Sequence, residues 1–236
     1  MHLKDLLRTK IGEEKKRVQN LVKTCGDTKI GDITISHLFR GMRGLKVLHT
    51  DISYVDADEG IRMRGFTIFE LLEKLPRPAW SEVPYLGGLF YLLVSGEMPS
   101  ESDALAIENE WKRESEIPQS VIDVIHAIPR HAKCMTMMSA AVLAMQSDSK
   151  FCKLYDEGLP KNKHWESTFD DSMSLLAKMP AIAAYIYRLK YCNDTALPKV
   201  EHWDWCGNVG TWMGIENKSY CDLVKLYVLL HADHES

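Results

Sequence analysis

The apolar residues of this chain recur at three- and four-residue spacings, segment after segment. That rhythm admits few folds besides a stack of α-helices. Leu3, Leu6, Leu7, Ile11, Val18, Leu21 and Val22 predict an amphipathic helix over 3–24, with Lys15, Lys16 and Arg17 on its wet side. From Thr67 onward one helix follows another. Thr67-x-x-Glu70 is a capping box opening 68–74. Pro84 suits the first turn of a helix through Val94 that stops at Gly96. Ser100 caps a helix to about Glu114, with Glu101 and Asp103 at its positive end. Pro118 starts another through Ala127. Further helices are expected over 133–147 and 166–192, and a last one from Lys218 to about the chain end. Pro180 removes a backbone donor and is expected to kink or break the long helix. Two β-prone runs, 30–35 and 47–55, predict a small hairpin or β-arm near the N-terminus. The expected fold class is therefore mainly α, multi-helical, with that hairpin appended.

Composition narrows the function. With 29 basic and 33 acidic side chains the net charge is −4, so a dedicated nucleic-acid binder is excluded. Apolar content of 45% is too high for a disordered chain. No apolar run approaches a membrane span. The start, Met1-His2-Leu3-Lys4-Asp5, reads as neither a secretory signal nor a transit peptide. Cys25, Cys134, Cys152, Cys192, Cys206 and Cys221 show no zinc-like spacing and read as reduced thiols.

Three places carry more information. Ser139, Ala140, Ala141 and Ala144 lie among Met135, Met137, Met138 and Met145, and a second helix holds Ala177, Ala181, Ala183 and Ala184. Small side chains allow close helix approach, either inside one core or across a two-fold axis between copies. The segment Asp56–Gly65 sets Arg62 and Arg64 opposite Ile61 and Met63 on an extended run. It reads as a turn and edge strand with solvated charges, or as an arginine pair held near an anion or a buried acid. In the last helix Leu223, Leu226, Tyr227 and Leu230 form a stripe that His234 continues, with His231 on the same side. These are core histidines or ligand-binding ones. A metal site needs more converging ligands than this cluster supplies.

Taken together, four runs resemble one family in one order: Gly41-Met42-Arg43-Gly44-Leu45-Lys46, Asp58-Glu59-Gly60-Ile61-Arg62-Met63-Arg64-Gly65, Gly88-Leu89-Phe90-Tyr91-Leu92-Leu93-Val94-Ser95-Gly96 and Leu230-His231-Ala232-Asp233-His234-Glu235. The chain is similar to eukaryotic, mitochondrial-type citrate synthases over roughly their N-terminal half. The resemblance implies that residues 1–236 are the N-terminal part of the large helical domain, without the small domain and the C-terminal part. It implies condensation of acetyl-CoA with oxaloacetate by acid–base and oxyanion-stabilising catalysis. Acetyl-CoA is then a substrate, and no cofactor is expected. His234 matches an oxaloacetate-binding histidine and His231 a supporting neighbour. Arg43 matches a CoA-facing arginine, and Lys161 falls where another CoA-facing arginine often stands. Arg62 and Arg64 match structural positions.

The same resemblance puts the catalytic histidine and aspartate and the carboxylate-clamping arginines beyond Ser236. No catalytic residue is therefore assigned within this chain, and the isolated polypeptide is expected to be inactive. The resemblance further implies a homodimer through 133–147 and 166–192, a second chain supplying the C-terminal half if the enzyme is split, and the mitochondrial matrix with the targeting peptide absent. The alternatives are a 2-methylcitrate synthase half and a non-catalytic, truncated assembly protein.

Overall fold

A computed structural model describes residues 2–42, 44–45, 49–192, 194–200 and 203–234. Helices dominate: α1 (His2–Cys25), α2 (Ile35–Arg40), α3 (Ile68–Lys74), α4 (Leu86–Ser95), α5 (Glu101–Arg113), α6 (Gln119–Ala127), α7 (Cys134–Ala144), α8 (Lys150–Asp156), α9 (His164–Tyr191), α10 (Asn208–Trp212) and α11 (Lys218–Leu230). Short 3-10 turns at Met145–Asp148 and Lys161–Lys163 link α7 to α8 and open α9. Among the described residues no helix is long and apolar enough to cross a membrane.

The predicted caps form as chemistry dictates. Thr67 Oγ1 accepts from the Glu70 N–H, and Glu70 Oε2 accepts in return from the Thr67 N–H at 2.8 Å. Ser100 and Asp103 make the same reciprocal pair on α5. Gly96 closes α4 in the left-handed conformation, φ +72.

The β element follows the expectation only in part: residues 53–55 of the second β-prone run form a strand, and the 56–65 segment supplies the expected turn and a strand that is central rather than an edge. The three-stranded antiparallel sheet comprises β1 (Ser53–Asp56), β2 (Gly60–Met63) and β3 (Phe66–Thr67), with Asp56 opposite Gly60. Asp56 Oδ1 accepts from the N–H groups of Asp58 and Glu59 and so builds the β1–β2 turn. Those donors hold its carboxyl below the usual range. The run 30–35 forms no strand. Residues 28–34 are irregular, and Ile35 opens α2, where the Thr34 N–H donates to His37 Nδ1 at 2.8 Å. A β-branched run becomes a strand only where a partner edge is available. Residues 47–48 of the second run lie outside the described residues.

Pro180 does not break α9. It sits buried within a continuous 28-residue helix, where packing from α5, α7 and α10 outweighs one lost backbone hydrogen bond. Of the three apolar clusters that α9 joins among the described residues, two are extensive. One gathers Leu3 and Leu7 of α1, Leu89 and Leu92 of α4, Ile107 and Trp111 of α5, Phe169 and Met173 of α9 and Leu229 of α11. The other packs Val121, Ile125, Met137 and Ala141 against Ile182, Tyr185, Ile186 and Leu189. The apolar face expected on α1 is buried only at Leu3 and Leu7, and Leu21 and Val22 are exposed.

α4 and α5 approach closely at Gly87. A β-carbon there would lie 2.8 Å from the Ala104 carbonyl oxygen and 3.1 Å from Ile107 Cβ. At Gly88 the nearest contact would be Ala104 Cβ at 3.3 Å. Gly87→Ala is expected to cost about 1–3 kcal/mol of stability, because backbone cannot yield, and Gly88→Ala less. Paired thermal melts check this, and equal melting temperatures would refute the asymmetry.

Candidate functional site at the end of α11

Asn217 starts α11, its side chain accepting from the Tyr220 N–H at 3.2 Å. The helix stops short of the expected chain end, with Leu230 as its last residue and His231 as its cap. Its buried side also differs from the predicted stripe. Leu223, Tyr227 and Leu230 are exposed, while Cys221, Lys225 and Leu229 face the interior at four-residue spacing. A lysine at the centre of that row interrupts its apolar periodicity.

Both histidines therefore lie past the helix end and are exposed. The His231 ring stacks on Tyr227, with centroids 4.2 Å apart and planes 28° apart. Its Nδ1 is 2.7 Å from the Tyr227 carbonyl oxygen. A carbonyl only accepts, so Nδ1 carries the proton, and Nε2 of the neutral ring keeps its lone pair. Between the histidines, Asp233 Oδ2 is out of solvent and, among the described residues, has no hydrogen-bond donor.

Asp233 and Ala232 border a groove of about 620 Å³ between α1, α4, α9 and the end of α11. Its walls are mostly apolar, with Leu7, Phe90, Leu93, Trp165 and Phe169 among them. Trp111 also lines it, and its buried indole N–H has no acceptor among the described residues. Arg64 lines the rim. Its Nε donates to the Leu93 carbonyl at 2.9 Å, and its Nη1 pairs with Asp51 at 2.9 Å. Arg62 pairs with Glu59 at 2.6 Å and donates to the Gly65 carbonyl. Both arginines are thus engaged by the protein. Arg62 sits on the strand in partial solvent, while Arg64 holds the last turn of α4 against the sheet.

Lys161 is exposed in the turn before α9 and does not line the groove. Arg43 lies outside the described residues. On α7, Met137 and Ala141 face α9, while Met135 and Leu143 are exposed.

Sequence reasoning missed a second polar constellation. Lys225 is fully buried, and its Nζ lies 2.6 Å from Asp204 Oδ2, an ion pair outside hydrogen-bond angles. The ammonium donates instead to the Val83 carbonyl at 2.8 Å and to Ser81 Oγ at 3.1 Å, and it sits 4.7 Å from the Trp80 ring centroid. Glu108, also buried, accepts from the Gly87 and Trp205 N–H groups at 2.9 Å each. Burial, then the neighbouring Asp204 carboxylate, pushes Glu108 up to about 7. Burial likewise pushes the Cys206 and Cys221 thiols up, which keeps them protonated. The signals available were positional: Lys225 four residues after Cys221, and Glu108 between Ala104 and Trp111 on a core face.

The family model described as "Citrate synthase, C-terminal domain" matches residues 41–236. A protein of Glossina morsitans morsitans named "Probable citrate synthase, mitochondrial" is 39% identical over 234 residues, 99% of this chain and 50% of that protein. The chain belongs to the citrate synthase family. The mitochondrial citrate synthase of Xiphias gladius is 38% identical over 235 residues, again 50% of its length. The chain spans about half the length of the curated relatives it matches. The Pyrobaculum aerophilum citrate synthase structure superposes with a TM-score of 0.69 at 25% identity, over 88% of this chain and 51% of that one. A Thermoplasma acidophilum citrate synthase, solved with carboxymethyl coenzyme A and oxaloacetate, shares the fold at TM-score 0.66 and 21% identity, over 83% of this chain and 48% of that one.

Arg64 has φ +50, a left-handed backbone that costs any side chain but glycine. Its guanidinium contacts offset that cost, so Arg64→Ala is expected to lose about 1–3 kcal/mol. Arg64→Gly, relieved of the backbone cost, is expected to lose less. Urea titration of the two variants checks the order, and an Ala variant more stable than the Gly variant would contradict it.

Proposed function

We propose that this chain is the N-terminal portion of a citrate synthase, contributing part of the oxaloacetate and CoA sites of an enzyme that joins acetyl-CoA to oxaloacetate. The observation that carries the reading is near full-length identity of 37–39% to proteins named mitochondrial citrate synthase, over half their length. In this reading His234 donates to the ketone oxygen of oxaloacetate, and His231 supports it with a ring already oriented by Tyr227. Polarising a ketone requires a fixed donor in place before the reaction. Arg43 and Lys161 are read as CoA contacts. Lys161 keeps the charge of an arginine but not its two-pronged geometry. Acetyl-CoA is a substrate, and no cofactor is invoked. The groups that move the proton from the acetyl methyl and clamp the oxaloacetate carboxylates are assigned to the half of the family fold that this chain does not span. That half is supplied by continuation of the chain or by a second polypeptide.

The exposed Met135 and Leu143 support a two-fold contact through 133–147 and 166–192. The mitochondrial matrix is the proposed location, supported by the names of the relatives.

Thiol release from acetyl-CoA in the presence of oxaloacetate tests the reaction. Residues 1–236 alone are expected to release none, and the completed protein to release CoA stoichiometrically with citrate. A completed protein inert towards both substrates would refute the reading. In that protein His234→Ala is expected to raise KM for oxaloacetate and lower kcat/KM by roughly 10- to 1,000-fold. Unchanged kinetics would remove His234 from the site. Leu143→Glu is expected to convert a dimer to monomer in sedimentation equilibrium, and a monomeric parent would argue against the interface.

A further inference from the structure

The protein interior holds an unbalanced set of charges. Glu108 on α5, Asp204 in the loop before α10 and Lys225 on α11 are all buried. Two carboxylates share the field of one ammonium, so full ionisation strands one negative charge away from water. Among the described residues the other groups facing the cluster do not correct this: the Lys112 ammonium, one turn along α5, is engaged by the Trp203 carbonyl at 3.0 Å, and the cation acting on Glu108 is Lys225. Tyr85, before α4, and Cys206, beside Asp204, are held neutral by burial. Cys221 on α11 is likewise a thiol, and Asp222 is occupied by the Ser81 hydroxyl. A single proton restores balance. Held on Glu108, it leaves a neutral acid beside a matched Asp204–Lys225 pair.

The geometry gives this balance a mechanical consequence. Lys225 reaches across from α11 to the Ser81–Val83 turn, and Asp204 fixes its own loop by accepting from the Gly207 N–H at 2.8 Å. Glu108 ties that loop and α4 to α5 through Trp205 and Gly87. His231 follows Lys225 by six residues, about 9 Å along the helix axis. We propose that Lys225 is the positioning residue of α11, setting the end that carries His231 and His234, and that the proton on Glu108 governs how tightly this anchor holds. The proposal rests on the reading of those histidines as substrate-binding.

The sign follows from linkage. Glu108 holds its proton to about pH 7 in the folded protein, against an ordinary value of 4.5. The proton therefore favours the folded arrangement. Its contribution is full below the ordinary value and is lost as pH rises through about 7.

Hydrogen exchange of the 236-residue protein across this range is the test, with protection corrected for intrinsic rates. Protection of the α11 amides is expected to fall about tenfold between about pH 6 and about pH 8. Glu108→Gln, which cannot titrate, is expected to show lower but pH-independent protection, since one backbone N–H loses its acceptor. Lys225→Met is expected to lose far more protection at about pH 8 than at about pH 5.5, where Glu108 holds its proton. Lys225→Arg is expected to keep the wild-type profile. A lysine that merely fills space would lose protection equally at every pH, and that result overturns the proposal. So does a pH step that survives Glu108→Gln, or a wild-type profile that is flat. Should Lys225→Met not fold at the higher pH, the wild-type, Glu108→Gln and Lys225→Arg profiles still decide. The ring protons of His231, shifted by stacking on Tyr227, report the functional end. Loss of that shift in Lys225→Met at about pH 8 supports positioning, whereas an unmoved His231 beside loosened α11 amides defeats it. None of these readings requires citrate to form, so their failure is separate from failure of the citrate assay.

Discussion

The buried contact between Lys225 and Asp204 is the joint on which the order of this structure depends. Taking an ammonium out of water costs several kcal/mol unless it is paired and its protons are accepted. Here Asp204 supplies the charge, Val83 and Ser81 supply oxygens, and Trp80 and Tyr85 supply ring faces. Every one of those partners comes from an irregular segment, Tyr85 from the extended residue that immediately precedes α4. A loop whose carbonyl must meet a buried cation has one acceptable path. The two stretches flanking α4 and α10 are thus ordered by a demand that originates on α11. An apolar residue at 225 would seal the interior with less directional preference. The lysine couples the rotation and depth of α11 to the placement of two loops.

The same interaction explains which parts of the fold were legible in the sequence. Helices announced by caps were read nearly to the residue, because a Thr67–Glu70 or Ser100–Asp103 box is a local hydrogen-bond circuit that needs no distant partner. The strands were legible only as a tendency. The β-branched run at 30–35 stayed unpaired, while Gly60–Met63, poorer in β-branched residues, became the central strand, because Asp56 closes a tight turn beside it. Pro180 misled in the opposite direction. A local rule predicted a break that burial on several sides of α9 overrode. Short elements such as α8 and α10 carry too few turns for periodicity to register.

At the site, order along the chain was more legible than direction in space. The motif around His231 and His234 was visible as a string of residue types, but the buried face of α11 was assigned to the wrong residues. Leu223 and Tyr227 look like core and are exposed, whereas Lys225 looks like surface and is sealed. Hydrophobicity ranks residues by what they would prefer alone. A charge enters a core only when a specific partner is waiting, and the partner, Asp204, lies 21 positions away behind a helix and two turns. No windowed pattern contains both.

The division of labour along α11 follows from this arrangement. Its first two turns are anchored by Cys221 and Lys225, and its final turn by Leu229. Past that anchor the backbone leaves helical geometry, so the side chains that follow are held by contacts of their own. His231 has such contacts in Tyr227, one helical turn behind it. Asp233 lacks one among the described residues and borders a groove that is also lined by Trp111, whose buried indole N–H is equally unsatisfied. A buried acceptor and a buried donor left unpaired beside an apolar cleft each carry a desolvation cost of about 1–3 kcal/mol.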